Sequence, residues 1–542
     1  MITKIDTKGK LNYFQIVMVF ILLNPVIDLF TSIMKTKFGV ELSIGIIIRG
    51  LFLAFTVLYM IFKHKYHPSF KKITWIYLCG TLLCSIIFII NVYNVEGMSS
   101  VISETKDLIK VFYFPTMLVA IINGMYEVED QIDISIVKEN GIFYVMVMII
   151  AQITRTQAKA YSYGAGHVGW FYAGNEVGAI FGILFPIVLL CIFEKWKRGI
   201  ALKVIVTSIF IYVMFQLGTK VPALSVFFTL AVVIIQYIIK YFSCNRQKRE
   251  LLKIIGCMML LIIAFIIFQY SPLKTNLNNH SQWFENKKEN IVQSYTDGQG
   301  TAKEKFTNEE NKNEENSNSQ VVNGNNQEKS NNADINNEVS TNQSNHVNSN
   351  ESIIANKESE DNSKIQISEK NAKILSLIFS SRDRFALARI NQFKDANITE
   401  KLFGMGYLTM DQSGNIVNNM TEIDYLDIWF SYGILGFIFY MIPIIYIIIY
   451  IMKNFFCKFR DNIIKTDIIL YFISIFLGLG IAFFAGHVLN APAVSIYLAI
   501  ELMFLYYKID KDKVSTDSCD KFSSVRKFNT VILIIVTVCQ FI

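Results

Sequence analysis

The sequence predicts an all-α, polytopic membrane protein with about 12 transmembrane helices. Of its 542 residues, 52% are hydrophobic and only 18% are charged, which leaves too few charged residues to cover a soluble protein of this length. The apolar residues also fall in blocks of about 20, the number that a helix needs to cross ~30 Å of hydrocarbon. Together these observations exclude an ordinary soluble fold.

The predicted spans follow one another along most of the chain. They lie at residues 13–33, 43–62, 73–93, 108–126, 141–154, 173–193, 200–217, 221–242, 252–270, 425–451, 467–487 and 491–507. The fifth block is short, and glycines interrupt the sixth. The first block follows the basic stretch Met1 to Lys10 and is longer than the apolar part of a signal peptide. No small-residue cleavage site closes it, so we expect a first spanning helix there.

Lysine and arginine predict which side of the membrane each loop faces. They cluster at the N-terminus and in alternate loops: Lys4, Lys8 and Lys10; Lys63, Lys65, Lys71 and Lys72; Lys195, Lys197, Arg198 and Lys203; Lys240, Arg246, Lys248, Arg249 and Lys253; Lys453, Lys458, Arg460 and Lys465. Short loops of this kind remain in the cytoplasm. We therefore expect both termini in the cytoplasm and the long segment between the ninth and tenth spans on the outside.

The same clustering accounts for the net charge of +7. Because no basic patch lies in a foldable soluble domain, we expect no nucleic-acid partner. None of the eight cysteines falls in a predicted external loop, so no disulfide framework is expected.

The chain divides into five parts. Residues 1–270 contain the first nine spans and residues 425–508 the last three. Between them, residues 271–371 are rich in Asn, Ser, Glu, Lys and Gln. Such a segment cannot bury enough apolar surface to offset the entropy of ordering, so we expect a disordered external insertion. Residues 372–424 alternate apolar and basic residues at helical spacing, which predicts an ordered external segment with an amphipathic helix. Residues 509–542 are expected to form a cytoplasmic tail with a short apolar end.

Polar residues in or beside the bilayer are the candidates for chemistry. The sequence has no Walker loop, HExxH, CxxC pair or dinucleotide fingerprint, and we expect neither a metal nor a cofactor. A charge at the membrane centre costs at least ~2.5–3.5 kcal/mol, so each one is a functional candidate. The candidates are Asp28, Arg49, Lys110, Glu176, Lys220 and Glu501, with His487 at the outer end of a span.

Two of these cations have alternative interpretations. Lys220 stands in a very tight external turn at the start of a helix, where a phosphate would be well placed. Its alternative role is that of an interfacial anchor whose ammonium reaches water. Arg49 lies inside an apolar block and needs a partner such as Asp28 or Glu176. A substrate contact and a structural ion pair are both open for it.

Two further groups flank the tenth span. The amphipathic segment carries three arginines, Arg382, Arg384 and Arg389. The first and last are seven residues apart and share a helix face, which suits a pyrophosphate or anionic lipid head groups. Three carboxylates precede the span: Glu422, Asp424 and Asp427. At the rim of a desolvated cavity such a group can act as a general base, and in water it is an ordinary surface carboxylate.

The order of these features resembles the O-antigen ligase and O-antigen polymerase family of bacterial polysaccharide-assembly membrane proteins. Four stretches carry the resemblance: GNEVGAIFGILFPIVLL at 174–190, LGTKVPALSVFFTLAVVI at 217–234, SSRDRFALARINQFKDANITEKLFGMGY at 380–407 and TEIDYLDIWFSYGILGF at 421–437. AGHVLNAPAVSIYLAI at 485–500 is a weaker fifth. Lys220 stands where the family usually has arginine, and Glu422 stands where its ligases have the histidine of a His-Asn pair.

The resemblance implies a GT-C-like membrane fold and an enzyme that acts on the outer face of the bacterial cytoplasmic membrane. Its donor would be a glycan linked to a polyprenyl pyrophosphate such as undecaprenyl pyrophosphate. The pyrophosphate-binding residues implied are Lys220, Arg382 and Arg384, with Arg389 and Arg49 as further candidates. Glu422 and Asp424 are the candidate catalytic carboxylates. The expected partners are the lipid-linked oligosaccharide and membrane lipids, with a chain-length regulator and a flippase as further candidates.

The sequence therefore predicts a glycosyltransferase for capsule or exopolysaccharide biosynthesis, acting as a polymerase of lipid-linked repeat units. The glutamate at position 422 favours a polymerase over the first alternative, a ligase that moves finished glycan to a surface acceptor. The second alternative is a transporter of polysaccharide or lipid-linked sugar, with the buried charges along its path. A sensor or scaffold that uses the Asn-rich segment for contact is the third.

Overall fold

The protein is an α-helical bundle in a computed structural model. The structure describes residues 12–40, 43–63, 66, 68–125, 135–160, 165–243, 247–296, 368–380, 382–410 and 416–514. Over these ranges the chain forms 17 α-helices and two short antiparallel β-hairpins.

Eleven of the described helices are long and apolar enough to cross a membrane. They are α1 (Tyr13–Phe38), α2 (Ile44–Phe62), α3 (Pro68–Glu96), α4 (Met98–Met125), α5 (Ser135–Ile153), α6 (Gly174–Leu190), α8 (Lys220–Ser243), α9 (Lys248–Gln269), α14 (Asp424–Cys457), α16 (Thr466–Phe484) and α17 (Pro492–Val514). A twelfth apolar helix, α7 (Ile200–Gln216), has 17 residues. These twelve helices coincide with the twelve predicted spans, so the all-α polytopic fold is confirmed.

The remaining elements are shorter or more polar. They are α10 (Pro272–Thr296), α11 (Glu369–Phe379), α12 (Arg382–Asp395), α13 (Ile398–Phe403), α15 (Phe459–Ile464), the pair β1 (Ala158–Lys159) and β2 (His167–Gly169), and the pair β3 (Leu408–Met410) and β4 (Ile416–Asn418). A π-helical turn, Cys191–Lys195, continues α6.

Helices α4, α6 and α17 form the interior of the bundle. The most apolar stretch of α6 is 94% buried, and those of α4 and α17 are 83% buried. The glycines of α6 serve close packing and do not interrupt the helix. A Cβ on Gly182 would lie 2.9 Å from Ser225 Oγ on α8 and 2.8 Å from Ile481 Cδ1 on α16. Small residues allow helices to approach closely within a membrane.

The prediction of disorder over residues 271–371 is wrong at its start. Residues Pro272–Thr296 form α10, and Leu273 and Phe284 are each 3% exposed. Its composition is polar, but tertiary contacts with α7, α9 and α11 give the helix an apolar surface to bury. Residues 297–367 lie outside the described part of the chain. At the other end, α17 continues to Val514, into the predicted tail, and residues 515–542 also lie outside the description.

The predicted amphipathic segment is ordered, but it is three helices and not one. Ser380 ends α11 in the left-handed conformation with φ 53°, and α12 begins at Arg382. Asn397 caps α13 by accepting a hydrogen bond from the backbone N–H of Glu400 at 2.9 Å. The break at Ser380 brings the end of one helix and the start of the next to the same place.

Candidate active site

The site is built around the tight turn between α7 and α8. The turn is three residues long, and its Gly218 has φ 71°. Asn276 of α10 fixes it, because its Nδ2 donates to Gly218 O at 2.9 Å. The same side chain pairs with the backbone of Ala165, accepting from N at 2.8 Å and donating to O at 2.7 Å. A residue from the segment predicted to be disordered therefore helps to hold Lys220 in place.

Lys220 joins this turn to the break between α11 and α12. Its Nζ donates to Leu377 O at 2.5 Å and to Ser380 Oγ at 3.1 Å. These acceptors belong to the C-terminal end of α11, where free carbonyls attract a cation. Arg382 lies two residues after Ser380, and its positive charge therefore also acts on the Lys220 ammonium. Two like charges held close together favour an anion between them.

Arg382 also contacts the segment before α14. Its Nε lies 3.2 Å from Glu422 Oε2, and the Arg382 side chain is 12% exposed while that of Glu422 is 43% exposed. Glu422 therefore remains accessible to a substrate. The residue just before it is fixed by Asp427, which accepts from Thr421 N at 2.6 Å and from Thr421 Oγ1 at 2.8 Å.

Asp424 occupies a different place from the one predicted for a catalytic carboxylate. It is fully buried, and its two oxygens accept backbone hydrogen bonds from His487 at 2.9 Å, Val488 at 2.8 Å and Leu489 at 2.7 Å. Hydrogen bonds to a charged acceptor are the strong ones. Asp424 therefore holds the turn between α16 and α17, and its role as a catalytic carboxylate stays a prediction.

That turn brings His487 to the site, a residue noted in the sequence only as a polar group at the end of a span. A Cβ on Gly486 would lie 2.4 Å from Glu422 O, so the backbones of the two segments are in direct contact. The charges of Glu422 and Arg382 both act on the imidazole. Burial lowers the pKa of His487 below 6.5, Glu422 opposes this shift, and Arg382 adds to it.

Backbone strain also concentrates here. The described residues include four non-glycine residues with positive φ: Arg155, Ser380, Glu422 and His487. The last three line this one site. Left-handed backbone costs of order 1 kcal/mol or more for a residue with a Cβ and persists where the surroundings impose it, most often at functional sites. Spacing along the sequence gives no sign of this clustering.

A glycine loop locks the amphipathic segment onto α14. Helix α14 is interrupted at Gly433, whose φ is 68° and ψ is −179°, and the loop after α13 packs into the interruption. A Cβ on Gly404 would lie 2.0 Å from Ser431 O, and the N–H of Gly406 donates to the same oxygen at 3.1 Å. Glu104 of α4 holds the far side of the loop, accepting from Tyr407 N at 2.6 Å.

The other two arginines predicted on this segment, Arg384 and Arg389, are buried. Arg389 is 3% exposed and donates to Gly406 O and, at 2.8 Å, to Gln392 Oε1. Arg384 is 5% exposed. Arg382 and Arg389 lie on the one helix α12, as predicted, and the contact described with Glu422 belongs to Arg382.

Arg49 forms an ion pair with Asp28, one of the two partners that the sequence suggested. Its Nη2 donates to Asp28 Oδ1 at 2.5 Å and to Asn24 Oδ1 at 2.6 Å, between α1 and α2. The other oxygen of Asp28 accepts from Tyr144 Oη of α5 at 2.6 Å. Arg49 is therefore part of a buried network that ties three helices together, and the structure does not bring it into the cluster around Arg382.

The comparisons with known proteins point to one family. No curated protein and no solved structure matches the chain. The family described as O-antigen ligase like membrane protein matches residues 10–512, nearly the whole chain. The protein therefore belongs to the family of O-antigen ligase like membrane proteins.

Proposed function

We propose that the protein polymerises surface-polysaccharide repeat units that are linked to a polyprenyl pyrophosphate. Membership of the family supports a role in surface-polysaccharide assembly, a glycosyl-transfer activity and lipid-linked oligosaccharide substrates. The observation that carries the proposal is the adjacency of Lys220 and Arg382, cations from segments 162 residues apart that are held together at a helix break.

In the proposed reaction, a hydroxyl oxygen of the acceptor sugar attacks the anomeric carbon of the donor. The bond from this carbon to the pyrophosphate oxygen breaks, and its electron pair leaves with the polyprenyl pyrophosphate. Lys220 and Arg382 stabilise the charge that develops on this leaving group. The proton of the hydroxyl passes to a base at the Glu422 end of the cluster.

We place the reaction on the outer face of the membrane. Lys220 lies beyond the C-terminal end of α7, a helix about 25 Å long. The other end of α7 adjoins a lysine-rich loop, where Lys203 donates to Phe193 O at 2.8 Å. Such loops mark the cytoplasmic side.

A ligase is the second candidate. Glu422 replaces the histidine of the ligases that the sequence resembles, but His487 stands beside Glu422 and supplies an imidazole. The two activities differ in what accumulates when the enzyme is lost. Loss of a polymerase leaves single repeat units on lipid, and loss of a ligase leaves full-length polymer on lipid.

The test compares Lys220→Met with Lys203→Met in a strain that lacks the chromosomal gene. Both lysines donate to a helix carbonyl, at opposite ends of α7, so Lys203→Met controls for the loss of a hydrogen-bonded ammonium. Removing one donor from a site of this kind costs about 10²–10³-fold in rate. We expect Lys220→Met to abolish long polymer, with single lipid-linked repeats accumulating, and Lys203→Met to retain polymer.

The measurements are the size distributions of the surface glycan and of its lipid-linked precursors, together with the amount of each variant in the membrane. Full-length lipid-linked polymer from Lys220→Met would assign a ligase. Unchanged glycan from both Lys220→Met and the deletion strain would overturn the whole assignment.

A further inference from the structure

We infer that the imidazole of His487 is the group that accepts the proton from the attacking hydroxyl, and that Glu422 faces it as its supporting carboxylate. The inference rests on the proposed glycosyl transfer and names a residue outside the segments in which the family resemblance is strong.

The imidazole of His487 has one nitrogen without a described partner. Nε2 is buried and makes no hydrogen bond to any described residue. The main chain at His487 is held in a left-handed conformation, with φ 60°, by the hydrogen bond to Asp424. A buried nitrogen without a partner loses about 1–3 kcal/mol of hydrogen-bonding free energy, which a substrate hydroxyl would recover.

The charges around the imidazole suit a base. Arg382 from α12 and Glu422 from the segment before α14 act on it with opposite signs, and the carboxylate of Asp424 is occupied by three backbone amides. Burial has the largest effect and lowers the pKa of His487 below 6.5, so the imidazole is neutral at pH 7. Glu422 then stabilises the imidazolium that forms as the proton arrives.

The proposed step is balanced with the groups present. The acceptor O–H bond breaks, its proton moves to Nε2, and the oxygen forms the new bond to the anomeric carbon. The pyrophosphate leaves with the electron pair of the broken bond, next to Lys220 and Arg382. No oxidant, reductant or further co-reactant is required.

The first test replaces His487 with glycine. Glycine adopts positive φ without a steric penalty, so His487→Gly preserves the turn while removing the base. General-base removal typically costs about 10²–10⁴-fold. In membrane vesicles supplied with the cells' own extracted lipid-linked precursors, we expect a rate loss of this size and partial rescue by added imidazole. His64→Gln, in the lysine-rich stretch between α2 and α3 that the sequence places on the cytoplasmic side, is the control and should retain the wild-type rate.

The second test is the pH profile between about pH 5 and 8. Because protonation of His487 stops proton transfer, the wild-type rate should fall on the acid side, with an apparent pKa below 6.5. Glu422→Gln removes the carboxylate that raises this pKa, so the acid limb should move to lower pH while activity persists.

Three outcomes would overturn the inference: a wild-type rate from His487→Gly, a loss of rate that imidazole does not restore, or complete inactivation by Glu422→Gln, which would make Glu422 the base. These outcomes are separable from failure of the proposed function. If Lys220→Met abolishes polymer while His487→Gly does not, the glycosyl transfer stands and only the assignment of His487 falls.

Discussion

Replacement of Asp424 by asparagine tests whether this carboxylate holds the turn of His487 or performs chemistry itself. In the structure Oδ1 accepts from His487 N, and Oδ2 accepts from both Val488 N and Leu489 N. Asparagine has the same shape but only one accepting oxygen. Its carbonyl can retain two of the three hydrogen bonds, and its amino group then faces the third N–H.

The expected magnitude follows from that count. One charge-assisted hydrogen bond to a fully buried acceptor is lost, at a cost of about 1.5–3 kcal/mol. If all of this free energy affects the population of the active turn, the rate decreases about 10- to 150-fold, at 1.36 kcal/mol per factor of ten. Asp424→Asn should also lower the melting temperature, because the donor left behind remains buried.

The assay is the rate of chain growth in membrane vesicles, with thermal unfolding of the purified protein in detergent measured in parallel. Asp461→Asn, an exposed carboxylate at the start of α15, is the matched control and should alter neither quantity. A rate loss greater than about 10³-fold without a change in melting temperature would refute the positioning role and make Asp424 catalytic. Unchanged rate and stability would show that the three hydrogen bonds do not matter.

Three further predictions concern the scaffold. Gly433→Ala should eliminate activity and lower stability, because the new Cβ would lie 2.5 Å from the backbone of the preceding loop at a φ of 68°. Gly480→Ala is the control, since its Cβ meets nothing within 4 Å, and it should change neither property. Polymer size measures the activity of each variant, and thermal unfolding measures its stability. Arg49→Met should lower the free energy of unfolding by ~3 kcal/mol, since it leaves the carboxylate of Asp28, which is 17% exposed, without its cation; a loss of activity with unchanged thermal stability would instead indicate a substrate contact. Replacing residues 297–367 with a Gly/Ser linker should leave the polymer size unchanged, because every contact to the Lys220 turn described above comes from outside this stretch; short polymer from this variant would contradict the prediction.

The sequence predicted the spans well because each apolar block is a local property of the chain. A helix in lipid satisfies its own backbone, so about 20 apolar residues define a span wherever they occur. Even the short fifth block and the glycine-containing sixth block are helices, α5 and α6. Where a helix depends on contacts with other elements, the local sequence pattern did not predict it. Helix α10 is polar by composition and is helical because Leu273, Asn276 and Phe284 find partners on other elements.

The candidate site divides in the same way. The sequence by itself proposed Lys220 as a charge beside the bilayer, and it proposed Arg382 and Glu422 from helix spacing, a group of carboxylates and the family resemblance. Only the tertiary structure decided which charges meet. It shows Arg49 in an ion pair with Asp28 and His487 beside Glu422. The physical reason is that a charge's partner depends on backbone turns far away in the sequence, and the left-handed residues that make these turns have no periodic pattern.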